Sequence, residues 1–508
     1  MDTFILLSCL LIQCFLMIIT PTMSQQSIPF EGPRLSAHPD FKSFSDHGIK
    51  ASSTSTSSSN TKFRTYYYKQ TLDHFNYRPD SFITFNHRYV IDFQYWGGAK
   101  TDAPIFVNLG AEAPLELDMK DPGFLHEQAP KLKALIVFIE HRYYGQSVPF
   151  GSRQEAFMNA SRLGYFTSTQ ALADYAEVIL HVKKMLMAER SPVVVFGASY
   201  GGMLASWFRL KYPHVAMGAL ASSAPILYFD DLVPADGGYY AVVSRDFKAV
   251  SQSCHNTIAQ SWLEITELAK KPNGLQQLSR LFNTCSPLKS ATVLKTDLIS
   301  MYASAAQYNR APVYRVNRIC EAIDGAPKGT SVLEKVYAAV VAYDSGTNVS
   351  CYNIGGYSPP SETTKGWSWQ RCSDMVMPIG QGRNATMFPY SPFDLQDFMN
   401  TCYSEYGVYP RPHWIVTEFD GHDIDLVLKK FGSNIIFSNG LKDPWSNGGV
   451  LHNISDSIVA VTTTEGSHCL DLLYSSSDDP IWVIKQRATE IEIIKGWIRE
   501  YNLMHGIN

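Results

Sequence analysis

Residues 192–213 read PVVVFGASYGGMLASWFRLKYP, and this stretch decides the fold. Residues 193–196 are a run of β-branched and aromatic side chains. Gly197, Ala198, Ser199, Tyr200, Gly201 and Gly202 follow, and a helix-like segment begins at once. A short continuous apolar run is the mark of a strand buried on both faces, as in a parallel sheet. A strand that turns sharply into a helix tolerates only small residues around its pivot, which gives the pattern G-x-S-x-G. Gly197, Ser199 and Gly201 match it. Composition alone would supply such a pentapeptide on the order of 0.2 times in a chain like this one. The rival reading is a tight strand–helix turn with no chemistry.

The flanking sequence repeats the same theme. HRYVIDFQYW (87–96), PIFVNLG (104–110) and ALIVFIEHRYYG (134–145) are apolar strand candidates. Residues 169–189 place Leu172, Tyr175, Ile179, Val182 and Leu186 at helical spacing. MGALASSAP (217–225) is strand-like again. From about Ile226 to Leu428 the pattern becomes helical or irregular, and then strand signals resume in NIIFSNG (434–440) and SIVAVTTTEG (457–466). A final helix is expected over residues 480–501. Strands alternating with helices predict one α/β domain with an α/β-hydrolase fold, carrying a helical cap insertion. The expected divisions are 63–228 and 429–508 for the hydrolase domain and 229–428 for the cap.

The 508 residues carry a formal net charge of −4, with 45% apolar and 18% charged side chains. Such a chain has a sizeable core and is not disordered. It has no long basic run, so nucleic acid is not an expected partner. Residues 1–24 open with an apolar block from Phe4 to Ile19 and read as a secretory signal peptide. No later stretch is long and apolar enough to span a bilayer, so no membrane association is expected once the signal is removed. Residues 25–62 end in ASSTSTSSSNTK (51–62) and are either a removable pro-segment or a Ser/Thr-rich linker, with order expected from about Phe63. Acceptor sequons at Asn159, Asn348, Asn384 and Asn453 fit the secretory route. So do Cys254, Cys285, Cys320, Cys351, Cys372 and Cys402, which are expected to staple the cap with three disulfides; sequence alone leaves fifteen pairings open. Cys469 stands apart from them. No metal-ligand spacing occurs, and neither metal nor cofactor is expected.

Acyl transfer by a serine needs a base to take its proton and an acid to orient the base. In this fold they follow the serine in the order acid, then histidine, each in a loop after a later strand. Asp443 follows NIIFSNG and His468 follows SIVAVTTTEG. The expected triad is therefore Ser199, Asp443 and His468. His141 precedes the serine and His422 lacks a clear strand before it, so both rank lower. The oxyanion donors are expected to be the Tyr200 N–H and that of Gly110 or Ala111, in the loop after PIFVNLG.

EHRYYGQS (140–147), GASYGG (197–202), SNGLKDPWS (438–446) and EGSHCLDL (465–472), in that order around a cysteine-rich insertion, resemble the lysosomal Pro-X carboxypeptidase and dipeptidyl peptidase II family of serine peptidases. The resemblance runs from Phe63 onward. It implies cleavage after proline, the same three catalytic residues, a homodimer, a lysosomal, vacuolar or extracellular destination, and pairing of Cys254 with Cys320, Cys285 with Cys351 and Cys372 with Cys402. Family members often continue the histidine motif as His-His-x-Asp-Leu-Arg, where this chain has Cys469 and Leu473; many carry Glu where it has Gln146. A proline ring calls for a compact apolar and aromatic pocket, for which Trp367, Trp369 and Trp445 are candidates. Glu112 would suit the ammonium of a dipeptidyl peptidase substrate. The wording of WIVTEFDGHDI (414–424) lies closer to the carboxypeptidases, so release of the residue after a penultimate proline is the expected activity. Dipeptidyl release and a lipase or esterase of the same fold are the alternatives.

Overall fold

The computed structural model describes residues 33, 35–36, 63–120, 122–344, 349–355, 360–384, 386–419 and 421–507. The expected signal peptide lies outside the described residues, as does Asn348. An eight-stranded sheet forms the centre: β1 (Phe63–Thr71), β2 (Thr84–Asp92), β3 (Ile105–Leu109), β4 (Leu135–Ile139), β5 (Val193–Ala198), β6 (Gly218–Ser222), β7 (Ile435–Gly440) and β8 (Ile458–Thr463). Their spatial order is β1-β2-β4-β3-β5-β6-β7-β8. β2 runs antiparallel to β1 and β4, and every other neighbouring pair is parallel. This is the α/β-hydrolase arrangement, with the glycine-flanked serine at the end of a central strand.

The run VVVF owes its continuity to burial on both sides. Val193 and Val195 point into one core, with Leu172, Tyr175, Ile179 and Val182 of α2 (Ser168–Met185) and Leu204 and Trp207 of α3 (Tyr200–Lys211). Val194 and Phe196 point into the other. There they join Phe124 and Leu125 of α1 (Gly123–Leu132) and Ile491, Ile494 and Trp497 of the last long helix, Ile481–Met504. Strand residues alternate faces with period two, so a doubly covered strand shows no polar side.

β1 was not foreseen in the sequence. FRTYYYKQT is an edge strand with several exposed positions, and its tyrosines do not alternate with the polar residues as a half-buried strand would require. Order was expected to begin at Phe63, where β1 does start. The correction is upstream: Leu35 and Ser36 are both buried within the fold.

Between β6 and β7 lies the cap. Its principal helices are α4 (Tyr239–Val250), α5 (Gln252–Ala269), α6 (Gly274–Leu281), α7 (Ala291–Gln307), α8 (Arg315–Asp324), α9 (Val332–Asp344), α10 (Glu362–Arg371), α11 (Leu395–Tyr406) and α12 (Ile424–Phe431). The closing helix Ile481–Met504 is then α13. Cys254–Cys320 ties α5 to α8, Cys285–Cys351 joins the loops after α6 and α9, and Cys372–Cys402 ties the end of α10 to α11. Closing loops of 66, 66 and 30 residues restricts the unfolded chain and so favours the folded cap. The side chains of Asn159, Asn384 and Asn453 are exposed.

Candidate active site

Ser199 sits between β5 and α3 with φ 59° and ψ −121°, a conformation that L residues adopt only under constraint. Its amide donates to Ser222 O on β6 at 2.8 Å, and its own carbonyl receives the first intrahelical bond from Met203 N at 3.0 Å. The glycines permit this turn. A Cβ on Gly197 would lie 1.9 Å from Gly201 O, and one on Gly202 would lie 2.6 Å from Ser222 O. The G-x-S-x-G-G spacing is thus a packing requirement of a strand reversing into a helix beside its neighbour.

His468 Nε2 is 2.9 Å from Ser199 Oγ, and His468 Nδ1 is 2.6 Å from Asp443 Oδ2. All three side chains are essentially inaccessible. Asp443 leaves β7 in a turn closed by its amide on Gly440 O at 3.0 Å, and its Oδ1 accepts the Trp445 N–H at 3.0 Å. That second bond aims Oδ2 at the imidazole. Burial by itself would lower the proton affinity of His468; the Asp443 carboxylate and the adjoining Cys469 sulfur outweigh it and raise the pKa above the ordinary imidazole value. The arrangement can draw the hydroxyl proton from Ser199 and stabilise the resulting imidazolium.

The loop carrying His468 is pinned from several directions. The Cys469 amide donates to Ser223 Oγ at 2.9 Å, and Ser222 Oγ donates to Asp471 Oδ1 at 2.5 Å. Arg487 of α13 donates to Asp471 O and Leu470 O. Most telling, the His468 amide donates to Gln307 O at 3.1 Å, at the end of cap helix α7. The cap is therefore part of the site. Nothing in the sequence of α7 marks Gln307, because its role arises only once the insertion folds over the sheet.

Other predicted positions sort clearly. Gly110 is not available as an oxyanion donor: its N–H is bonded to Ile139 O at 2.9 Å, prolonging the β3–β4 pairing by one residue. The Ala111 N–H makes a 3.3 Å contact with Asp118 Oδ2. Trp369 is corrected as well. It packs with Tyr143, Tyr144 and Phe166 and donates to Phe166 O, which commits it to a hydrophobic cluster. Trp367, on the same helix, lies against the Tyr200 ring with centroids 5.4 Å apart. Trp445 is buried edge-on to Tyr228 and Tyr239. Glu112, Cys469 and Leu473 line one small cavity together with Ser36. Cys469 is the one free cysteine among the described residues.

EHRYYGQS builds the wall beside the serine. Glu140 accepts from Arg88, Leu115 N, Gln146 N and Ser147, fixing the loops after β3 and β4. Arg142 forms a bidentate pair with Asp174 at 2.6 Å and donates to Leu72 O and Tyr165 O, all within the interior. His141 Nε2 lies 3.1 Å from the Tyr200 hydroxyl. Burial holds its pKa down to about 3, so it is a neutral partner there. The same hydroxyl accepts from Gln370 Nε2 of α10 at 2.8 Å, joining cap and wall. Gln146 accepts from Tyr67 at the surface, and His422 is exposed beside Asp230.

The serine carboxypeptidase S28 family model matches residues 70–490. The chain belongs to that family. Among S28 relatives, it is 38% identical over 449 residues to lysosomal Pro-X carboxypeptidase of Homo sapiens, covering 86% of this chain and 88% of that protein. It is 36% identical over 477 residues to the Mus musculus protein of the same description, covering 91% and 95%. It is 31% identical over 476 residues to prolyl carboxy peptidase like protein 5 of Caenorhabditis elegans, covering 86% and 90%. The S28 match spans both parts of the sheet and the cap between them.

Proposed function

We propose that this chain is a serine exopeptidase of the secretory pathway, lysosomal or vacuolar or extracellular, that removes the residue following a penultimate proline. One observation carries the reading: His468 bridges Ser199 and Asp443 in a buried, hydrogen-bonded line. The names of the S28 relatives support the Pro-X specificity.

Ser199 Oγ attacks the proline carbonyl carbon while its proton passes to His468 Nε2. The tetrahedral oxyanion is held by the Tyr200 N–H, which α3 does not use because its intrahelical bonding starts at Met203. The Ala111 N–H is the second donor, exchanging its long contact with Asp118 for the oxyanion. As the C–N bond breaks, the leaving amine takes the proton from His468. Water then attacks the prolyl ester, with His468 again as base, and frees the shortened peptide and Ser199. Trp367, beside Tyr200, and Trp445, next to the acid loop, form walls for the proline ring.

Residues 25–62 act in this reading as a removable pro-segment, since Leu35 lies on the nucleophile itself. The cap spans 229–428. Asn159, Asn348, Asn384 and Asn453 carry glycans, and the enzyme pairs as a homodimer, which light scattering would check. To test the function, the protein and Ser199→Ala are incubated with a blocked -Pro-Phe peptide, an X-Pro arylamide and a short acyl ester. Release of phenylalanine, abolished in Ser199→Ala, is expected. Turnover of the ester alone, or activity persisting without the serine, would overturn the peptidase reading. Release of X-Pro alone would reverse its direction and turn attention to Glu112.

A further inference from the structure

Leu35 and Ser36 lie across the triad. The Ser199 hydroxyl donates to Leu35 O at 2.7 Å, and the Leu35 side chain is wholly buried. The next carbonyl along, Ser36 O, accepts from the Tyr308 hydroxyl at 2.6 Å and from Gln307 Nε2 at 3.4 Å. The bond runs from Oγ to the Leu35 oxygen rather than to its carbon, so the segment lies over the nucleophile short of attack register. With Leu35 taken as the occupant of P1, Ser36 is that of P1′. In a peptide ending in -Pro-X, P1′ is the last residue, and its carbonyl carbon is that of the terminal carboxylate. Ser36 O therefore marks where one oxygen of that carboxylate would rest.

We infer that Gln307 and Tyr308 form the subsite that receives the free C-terminal carboxylate of a -Pro-X peptide. The inference rests on the carboxypeptidase reading above. The donors are fixed in advance. Gln307 Oε1 accepts from the Tyr239 hydroxyl at 2.9 Å, which turns the amide nitrogen toward the cleft. Gln307 Nε2 also donates to Tyr308 OH at 3.1 Å, leaving the phenolic proton to point outward to Ser36. The Tyr308 ring stands edge-on to His468, centroids 6.2 Å apart, and Gln307 O holds the His468 amide. The same two residues thus hold the catalytic histidine and set the distance to a chain end one residue beyond the scissile bond. An enzyme releasing N-terminal dipeptides has a continuing chain at this position and gains nothing from anion donors there.

The test compares a blocked -Pro-Phe free acid with its C-terminal amide, an isostere without the charge. Wild type is expected to favour the acid through KM. A hydrogen bond to a charged group is worth about 1.5–3 kcal/mol, so Tyr308→Phe should cut the acid-to-amide ratio of kcat/KM by about ten- to a hundredfold. Gln307→Glu, nearly isosteric and able to keep the Tyr239 bond, sets a carboxylate against the substrate's own and should cut the ratio further. Equal losses on acid and amide in both variants, or no change in the ratio, would overturn the subsite. Failure of the underlying reading looks different: wild type would release neither phenylalanine from the acid nor phenylalaninamide from the amide.

Discussion

Asp443→Asn separates a triad from a fortuitous hydrogen-bonded line. Asp443 Oδ1 accepts the Trp445 N–H and Oδ2 faces His468 Nδ1. In the variant the amide oxygen must keep the Trp445 bond, because a flipped amide would set NH₂ against N–H. The amide nitrogen then faces Nδ1 at the former 2.6 Å position as a donor. Nδ1 has to be bare, so the neutral imidazole carries its proton on Nε2 and presents N–H, not a lone pair, to Ser199 Oγ. The base is lost though the shape is kept. The same substitution in a Ser-His-Asp template lowers kcat about 10⁴-fold, so a loss of roughly 10³–10⁴, or about 4–5.5 kcal/mol of barrier, is expected here. The assay is steady-state release of phenylalanine from a -Pro-Phe peptide, with a thermal melt confirming that the fold is kept. A kcat within tenfold of wild type in a folded variant would refute the mechanism.

Further outcomes follow from other contacts. The Cys469 sulfur helps raise the His468 pKa, so Cys469→Ala should shift the acid limb of the kcat/KM profile toward lower pH; an unmoved limb rules that contribution out. Asp174→Asn leaves Arg142 buried without its carboxylate and should cost about 3–5 kcal/mol in urea denaturation near neutral pH. Despite burial, which acts the other way, Arg142 holds the Asp174 carboxyl below the usual range. Its stabilisation is complete above an unfolded carboxylate pKa of about 4 and fades as pH falls further, so the gap between wild type and variant should narrow in acid. Burying a leucine is worth about 1.5–3 kcal/mol, so Leu35→Asp in the full chain should raise kcat/KM by about ten- to a hundredfold as the segment leaves Ser199. Unchanged turnover would show that Leu35 does not obstruct the site.

The site was legible in the sequence where it depends on strand ends. The strands before Ser199, Asp443 and His468 each open on an apolar run, VVVF, IIF and IVAV, and the turn after each one announces itself. What escaped depends on contacts between distant segments. Gly110 resembles an oxyanion donor until β4 takes its N–H. Trp367 and Trp369 look equivalent in KGWSWQRC, but two residues on an α-helix differ by about 200°, so only one can face the Tyr200 ring. Gln307 and Tyr308 lie deep in the cap, and no local pattern distinguishes them. Leu35 sits in a stretch with no periodicity, and only its contact with the nucleophile gives it meaning.

Ser199 and His468 are 269 residues apart in the chain, and β6 must wait for β7 across the whole cap before the sheet can be completed. At about 5–20 residues per second, the interval between synthesis of the serine and of its base is roughly 15–50 s. Through that time the growing polypeptide carries a nucleophile with no means of activation, and the unpaired side of β6 is a surface for folding helpers to cover. The order of the chain itself thus delays proteolytic competence until the histidine loop after β8 has been made.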